Sequence, residues 1–259
     1  MKRTWLMTRL TIKDSLRTLV WIPFIVLGIL AASFIMLMGF GYQLKPNEYA
    51  NNIISNHFMF VSMGIYFAGL ALGAISMPRE RRARVMFTLP VSRTEIAAGK
   101  LIGNQIVVGF ALLVGYAISL SWALYFDLSG FAYSWLGLAT AFSMSFTYLC
   151  LAIPLGYWMP AIPAAVAAWL IVDAPASLKA LADHQVITAA WIVNPIEFLF
   201  KVTPGHVDPD PLRRAFYKWP VFAVDYAAVM ADVLLALAFF IVLCALAHRK
   251  ELSTKSQAA

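Results

Sequence analysis

The chain has 259 residues, 61% of them hydrophobic and 13% charged. A soluble domain carries roughly 45–50% apolar and about 25% charged residues, so this composition excludes an ordinary soluble fold. The formal charge of +7 does not describe a nucleic-acid surface, because most of the Lys and Arg sit in the first 17 residues, between 79 and 100, and after His248. Those are the places where the insertion bias for basic loops marks cytoplasmic faces, and where anionic lipid headgroups are favoured.

The apolar residues gather in runs of about 20, the length that crosses a bilayer as a helix. A β-barrel would instead show alternating segments of about 10 residues. The expected fold is therefore all-α: a polytopic membrane protein in a single domain, 1–259. Cys150 and Cys244 both fall inside apolar runs and suggest neither a disulfide nor a metal site.

Residues 1–17 are basic. Arg9, Lys13 and Arg17 recur every four residues and form one helical stripe beside Trp5, with Leu6 and Leu10 interrupting it. The pattern predicts an amphipathic helix on the cytoplasmic leaflet. The apolar run from 19 to about 40 is longer than the roughly 7–15-residue core of a cleaved signal and reads as an uncleaved first span. Residues 41–56, with Lys45, Glu48 and four Asn, read as an outer loop.

A second span is expected at 58–77. It contains Gly69-x-x-x-Gly73, a spacing that lets helices approach closely, either within the subunit or across a dimer. Glycine is also simply common in membrane helices. Pro78 stops this span, and a basic island follows. Arg79, Arg81, Arg82, Arg84, Arg93 and Lys100 stand there against only Glu80 and Glu95.

Spans three and four are expected at 101–126 and 132–153, followed by a tight turn at Pro154, Gly156 and Pro160. Span five, 158–172, is short: about 15 residues cover only about 23 Å. It therefore either continues past Asp173 to about 181 or is broken. The region 174–220 reads as outer, with an apolar middle at 186–200 that holds Asn194, Pro195 and Glu197. Pro195 opposes a straight helix, which suggests helices that dip into the bilayer without crossing. Residues 204–214 read as a polar loop, and Tyr217 and Trp219 fit an interfacial belt. The last span is expected at 226–247. Six crossings place both termini and the Arg island on the cytoplasmic side.

Little in the chain suggests catalysis. Gly99-Lys100 fails as a phosphate loop, because Thr94 and Leu101 stand where Gly and Ser or Thr are required. The four histidines are isolated, with no H-E-x-x-H among them. Asp225 and Asp232 share a face of the last span. Counted back from His248, Asp232 falls near the outer interface. It reads as a hydrogen-bonded interfacial acid or, more sharply, as an acid with Asp225 on the outer mouth of a transport path. No charge is placed at the midplane, which disfavours an ion-coupled carrier.

The apolar residues Met86, Phe87, Leu89, Pro90 and Val91 are more than an exposed loop needs. An apolar patch flanked by arginine suits docking, although the same charges would set topology without any partner. The run Leu89, Pro90, Val91, Ser92, Arg93, Glu95, Ile96, Gly99 and Lys100, LPVSR-x-E-I-x-x-G-K, resembles the first cytoplasmic loop of ABC type-2 transporter permeases. That family has a Gly-Thr pair and a further Glu ahead of the apolar run, where this chain has Arg81, Arg82, Ala83 and Arg84.

The resemblance implies an elbow helix at 1–17, a coupling helix within 78–98 that docks on a separate ATPase, and re-entrant helices before the last span. It also implies a bacterial inner membrane and a second permease copy or homologous permease. Two copies of an ABC ATPase would hold the ATP and magnesium, and a periplasmic partner is a further option. This chain itself would be neither an enzyme nor a cofactor binder. The function so implied is export of a drug, peptide, lipid or glycan. The alternative is a non-transport scaffold or sensor whose basic loop binds a soluble partner.

Overall fold

Inside a bilayer every backbone N–H and C=O must find its partner within the chain, so apolar runs of this length fold as helices. The computed structural model describes residues 2–18, 22–41, 46–77, 93–125, 134–187, 189–205 and 223–257. These form eight helices and no strand: α1 Lys2–Thr18, α2 Ile22–Gly41, α3 Pro46–Ser76, α4 Arg93–Tyr125, α5 Ser134–Leu155, α6 Ala161–Asp183, α7 Ala190–Val202 and α8 Ala223–Gln257. Within α3, α4, α5, α6 and α8 lie five stretches long and apolar enough to cross a membrane. Helix α2 adds 20 residues without a charge.

Several boundaries differ from the sequence expectation. Most of the expected outer loop 41–56 is helix, because α3 starts at Pro46, a residue suited to a first helical turn. Residues 93–98, expected in the coupling loop, are the opening turns of α4, with Glu95 in its first turn, where an acid complements the helix dipole. The rest of that loop, 78–92, lies outside the described residues.

Span five takes the first of its two expected forms, continuing past Asp173 rather than breaking. Helix α6 continues through Asp173 and Pro175 to Asp183, about 34 Å at the α-helical rise. It ends in a Schellman-type cap. Gln185 takes a positive φ of 59°, Gln185 N–H bonds Ala182 C=O, and Val186 N–H bonds Leu181 C=O.

Helix α7 runs through Pro195 unbroken. Proline removes one intrahelical bond, and the turns on either side of Pro195 hold the helix without it. At about 20 Å, α7 is too short to cross a hydrocarbon core of about 30 Å.

Helix α5 is the hub. It packs against α3, α4, α6 and α8, while α2 packs on α3 and α7 on α6. One cluster joins Phe58, Ile65 and Leu72 of α3 to Val108 and Leu112 of α4, Leu149 and Ile153 of α5, and Phe240 of α8. A second joins Leu70 and Ala74 to Leu151 and Leu155, and to Ala164, Ala168 and Val172 of α6. Residues of the outer faces, such as Phe110, Ile162 and Leu234, are exposed, as a helix meeting lipid requires.

Candidate functional site

Two constellations stand out. The first is the joint between α1 and the opening turns of α4. Met7, Thr8, Thr11 and Ser15 form the buried stripe of α1, at the three- and four-residue spacing of one helix face. They meet Gly99 and Gly103. A Cβ on Gly99 would lie 2.5 Å from Met7 Cβ, and one on Gly103 would lie 2.7 Å from Thr11 Cβ. Only glycine allows backbones this close. Ser15 Oγ donates to Asn104 Oδ1 at 2.6 Å. Beside them Lys100 is buried, with Asp14 of α1 as the acid whose charge acts on it.

The opposite face of α1 is exposed. Arg9, Lys13 and Arg17 point outward, as do Trp5, Leu6, Leu10 and Leu16. Basic heads beside apolar bodies on one open face match a headgroup boundary, where long basic side chains snorkel. Thus α1 is two-faced, with a small-residue side on α4 and a basic, apolar side away from it.

The second constellation is a set of polar groups radiating from α5. Its apolar stretch Trp135–Leu155 has Ser145 ten residues from either end. Thr140, Ser143, Ser145, Thr147 and Tyr148 are all buried. Thr140 and Ser145 return their protons to the carbonyls of Leu136 and Phe142. Ser143 and Thr147, four apart, both face Asp232 of α8. Ser143 Oγ donates to Asp232 Oδ2 at 2.7 Å, and Thr147 Oγ1 donates at 3.4 Å. The other oxygen, Oδ1, accepts the backbone N–H of Gly205, which stands just past α7 at φ +98°.

On another side of α5, Tyr148 Oη donates to Asp173 Oδ2 of α6 at 2.6 Å. On a third, Gln105 Nε2 of α4 donates to Ser145 Oγ at 3.3 Å. Further along α4, Ser119 Oγ lies within hydrogen-bond distance of the Gly115 carbonyl and 2.9 Å from His57 Nδ1.

The arrangement changes the reading of the acids. Counting along α8 put Asp232 near an interface, and it is six residues from Tyr226. Yet its partners Ser143 and Thr147 straddle the midpoint of the apolar stretch of α5, and only 8% of Asp232 is exposed. Asp173, ten residues from the end of α6, is a second, half-buried carboxylate midway along a helix. Counting from His248 did not anticipate Ser143 and Thr147 as the partners of Asp232, nor Asp173 midway along a continuous α6.

Asp225 lies near the start of α8. Gly69 and Gly73 both face inward and divide their work. Gly69 sits at ordinary contact with Val108 of α4, whereas a Cβ on Gly73 would lie 2.9 Å from Ala152 Cβ of α5. Arg79, Glu80, Arg81, Arg82, Arg84, Met86, Phe87, Leu89, Pro90, Val91 and Ser92 lie outside the described residues, and Arg93 opens α4.

Sequence reasoning missed the Gly99-x-x-x-Gly103 seam, although it has the same spacing as Gly69-x-x-x-Gly73. It also missed the alternating hydroxyls of α5, visible as Ser and Thr within an apolar run. Among the described residues no three His, Cys, Asp or Glu side chains converge as metal ligands would. Compared with known proteins, the chain matches no family model and no curated protein.

Proposed function

We propose that this chain is the permease subunit of an ATP-binding cassette exporter, paired with a second permease copy or a homologous permease and driven by two copies of a separate ATPase. The observation that carries the reading is the segment LPVSR-x-E-I-x-x-G-K. Its last residues, Arg93 to Lys100, are the opening turns of α4 against which α1 is packed. A loop that ends in such a joint suits the transfer of a push from a soluble motor into a helix bundle.

In this reading α2, α3, α4, α5, α6 and α8 make six crossings, and α7 dips without crossing. Both termini and the segment 78–92 face the cytoplasm of a bacterial inner membrane. The basic face of α1 rests among headgroups as an elbow helix. ATP and magnesium belong to the partner ATPase, and the cargo is of the drug, peptide, lipid or glycan class.

The test is co-purification with the ATPase encoded beside it, for the native chain and for Arg81→Glu with Arg84→Glu. The native chain should bring the ATPase down and the charge reversal should lose it. If the native chain in a lipid nanodisc binds no ATPase, the permease reading falls, and the basic island becomes a topology signal or a scaffold surface.

A second reading takes its support from Asp173 and Asp232. Carboxylates deep among apolar helices are the usual pointers to an ion path, so an ion-coupled carrier is the competitor. Transport driven by a proton gradient without any ATPase, and lost in Asp173→Asn, would favour the carrier.

A further inference from the structure

Helix α1 lies where the chain meets the edge of the hydrocarbon. Its buried stripe touches Gly99, Gly103 and Asn104 of α4, all within the first eleven residues of the apolar stretch Thr94–Ser121. The 28 residues of that stretch cover about 42 Å at the α-helical rise. That exceeds the roughly 30 Å of a bilayer's hydrocarbon, so the stretch reaches headgroup depth at its ends. At the other end of α1, Ile22 opens the uncharged α2 four positions after Thr18. Both neighbours hold α1 at the boundary.

The side that α1 turns away from α4 combines two chemistries. Arg9, Lys13 and Arg17 are exposed, and so are Leu6, Leu10 and Leu16 among them. Arg9 and Lys13, four apart, are neighbours on the helix surface, about 5–6 Å between Cβ atoms. With Leu6, Leu10, Ile12 and Leu16 they border a recess of about 500 Å³. The acid of α1, Asp14, is about 140° round the helix from Arg9 and acts on Lys100 instead. The open face therefore sets two cations beside an apolar trough, with no acid of α1 between them.

Charge and depth decide what covers this face. Acyl chains alone would fill the trough and leave Arg9 and Lys13 without a counter-charge. A zwitterionic headgroup brings a phosphate but also a cation of its own. A second copy of this chain is mismatched. Its segments 1–18, 78–100 and 248–259 carry fourteen Lys and Arg against four Asp and Glu, and like charges meeting across an interface are costly. A soluble acidic partner would match the cations but not leucines held at the edge of the hydrocarbon. A phospholipid of net negative charge supplies both parts at the right depth. Its phosphate pairs with arginine and lysine, and its chain continues into the bilayer beside the leucines.

We infer that the open face of α1 is a binding site for an anionic phospholipid, with the phosphate between Arg9 and Lys13 and an acyl chain in the recess beside Leu6, Leu10 and Leu16. The site selects lipids by charge, which goes beyond resting among headgroups. It needs α1 at a membrane boundary but neither an ATPase nor a cargo, so it holds or fails apart from the permease reading.

The test titrates the full chain, in detergent micelles at low ionic strength, with phosphatidylglycerol or phosphatidylcholine of the same acyl chains. Bound lipids are counted by native mass spectrometry. Phosphatidylglycerol should bind about 10- to 100-fold more tightly. Arg9→Gln with Lys13→Gln should cut that affinity about 25-fold, about 5-fold for each basic residue near a lipid surface, and leave phosphatidylcholine unchanged. Arg249→Gln with Lys250→Gln removes the same charge from the end of α8 and should change neither lipid. Leu10→Gln with Leu16→Gln keeps every charge and should still weaken phosphatidylglycerol, because the acyl chain loses its recess.

Equal binding of the two lipids to the native chain would overturn the inference without depending on any variant. So would equal losses from the two charge pairs, which would mark an effect of net charge alone. If the leucine pair changes nothing, and glycerol phosphate or a polyglutamate peptide displaces the lipid, the face takes a soluble anion and the inference falls.

Discussion

Replacing Asp232 separates the carboxylate's shape from its charge. In Asp232→Ala the acceptors of Ser143, Thr147 and Gly205 vanish together. The two hydroxyls can turn back to their own helix carbonyls, as Thr140 and Ser145 already do, so their loss costs little. The Gly205 N–H cannot turn, because its backbone is fixed at φ +98°. An orphaned buried donor costs about 1–3 kcal/mol, and that is the expected destabilisation.

Asp232→Asn behaves differently. The remaining amide oxygen still accepts from Gly205, the amide nitrogen donates to Ser143 Oγ, and Ser143 passes its proton to a carbonyl of α5. A charge is also removed from the bundle, where charges are costly. The Asn variant should therefore lie within about 0.5 kcal/mol of the native chain. Equilibrium unfolding in mixed detergent micelles, followed by tryptophan fluorescence at neutral pH, measures both. If Asn costs as much as Ala, the charge itself is required and the hydrogen-bond account is wrong. If Asn folds normally but transport stops, Asp232 acts in the path as well as in the fold.

Four further outcomes follow from the glycines. Gly205→Ala combines a left-handed φ with a Cβ 2.5 Å from Val172 Cγ1 and should lose about 1–3 kcal/mol; Val172→Ala in the same chain should recover only part of it. Gly69→Ala should be neutral or stabilising by up to about 1 kcal/mol, the helix preference of alanine over glycine, because Val108 stands 3.6 Å off. Gly73→Ala should cost about 1–3 kcal/mol, since the Ala152 Cβ in its way is fixed to α5, and equal effects at the two glycines would contradict this packing. Gly99→Leu should undock α1, read as faster proteolysis within residues 2–18 in the folded chain, whereas Phe110→Leu on the open face of α4 should leave it protected.

The helices were legible because a bilayer leaves the chain little choice. Runs without charge must close their own hydrogen bonds, so α2 and the five long apolar stretches could be read from composition alone. The boundaries were less legible. Hydropathy sees where apolar residues stop, not where the helix stops, so the polar turns of α3 from Pro46 and of α4 from Arg93 were read as loop. Proline was over-weighted at 195, where one lost backbone bond is outweighed by the turns on either side. The polar site was hardest to see. Asp232 gains its setting from Ser143 and Thr147 on a different helix, about 90 residues away in the chain, and no local pattern names those partners. Gly99 and Gly103 were visible as a spacing, but their partner, the small stripe of α1, becomes meaningful only once the two helices are side by side.

Under the permease reading these same contacts say which parts would move together. Helix α1 is locked to α4 by Gly99, Gly103 and the Ser15–Asn104 bond. Helix α4 packs tightly on α3 at Gly115, where a Cβ would lie 2.5 Å from Val61 Cγ1. A push at residues 78–92 therefore reaches α1, α3 and α4 as one body, because the segment joins α3 to α4. The opposite body is held by Asp232, which ties α8 and the chain after α7 to α5, and by Tyr148, which ties α6 to α5. Helix α3 also closes on α5, where a Cβ on Gly73 would lie 2.9 Å from Ala152 Cβ, so a push reaches α5 directly, and among the described residues α4 adds the longer Gln105–Ser145 bond.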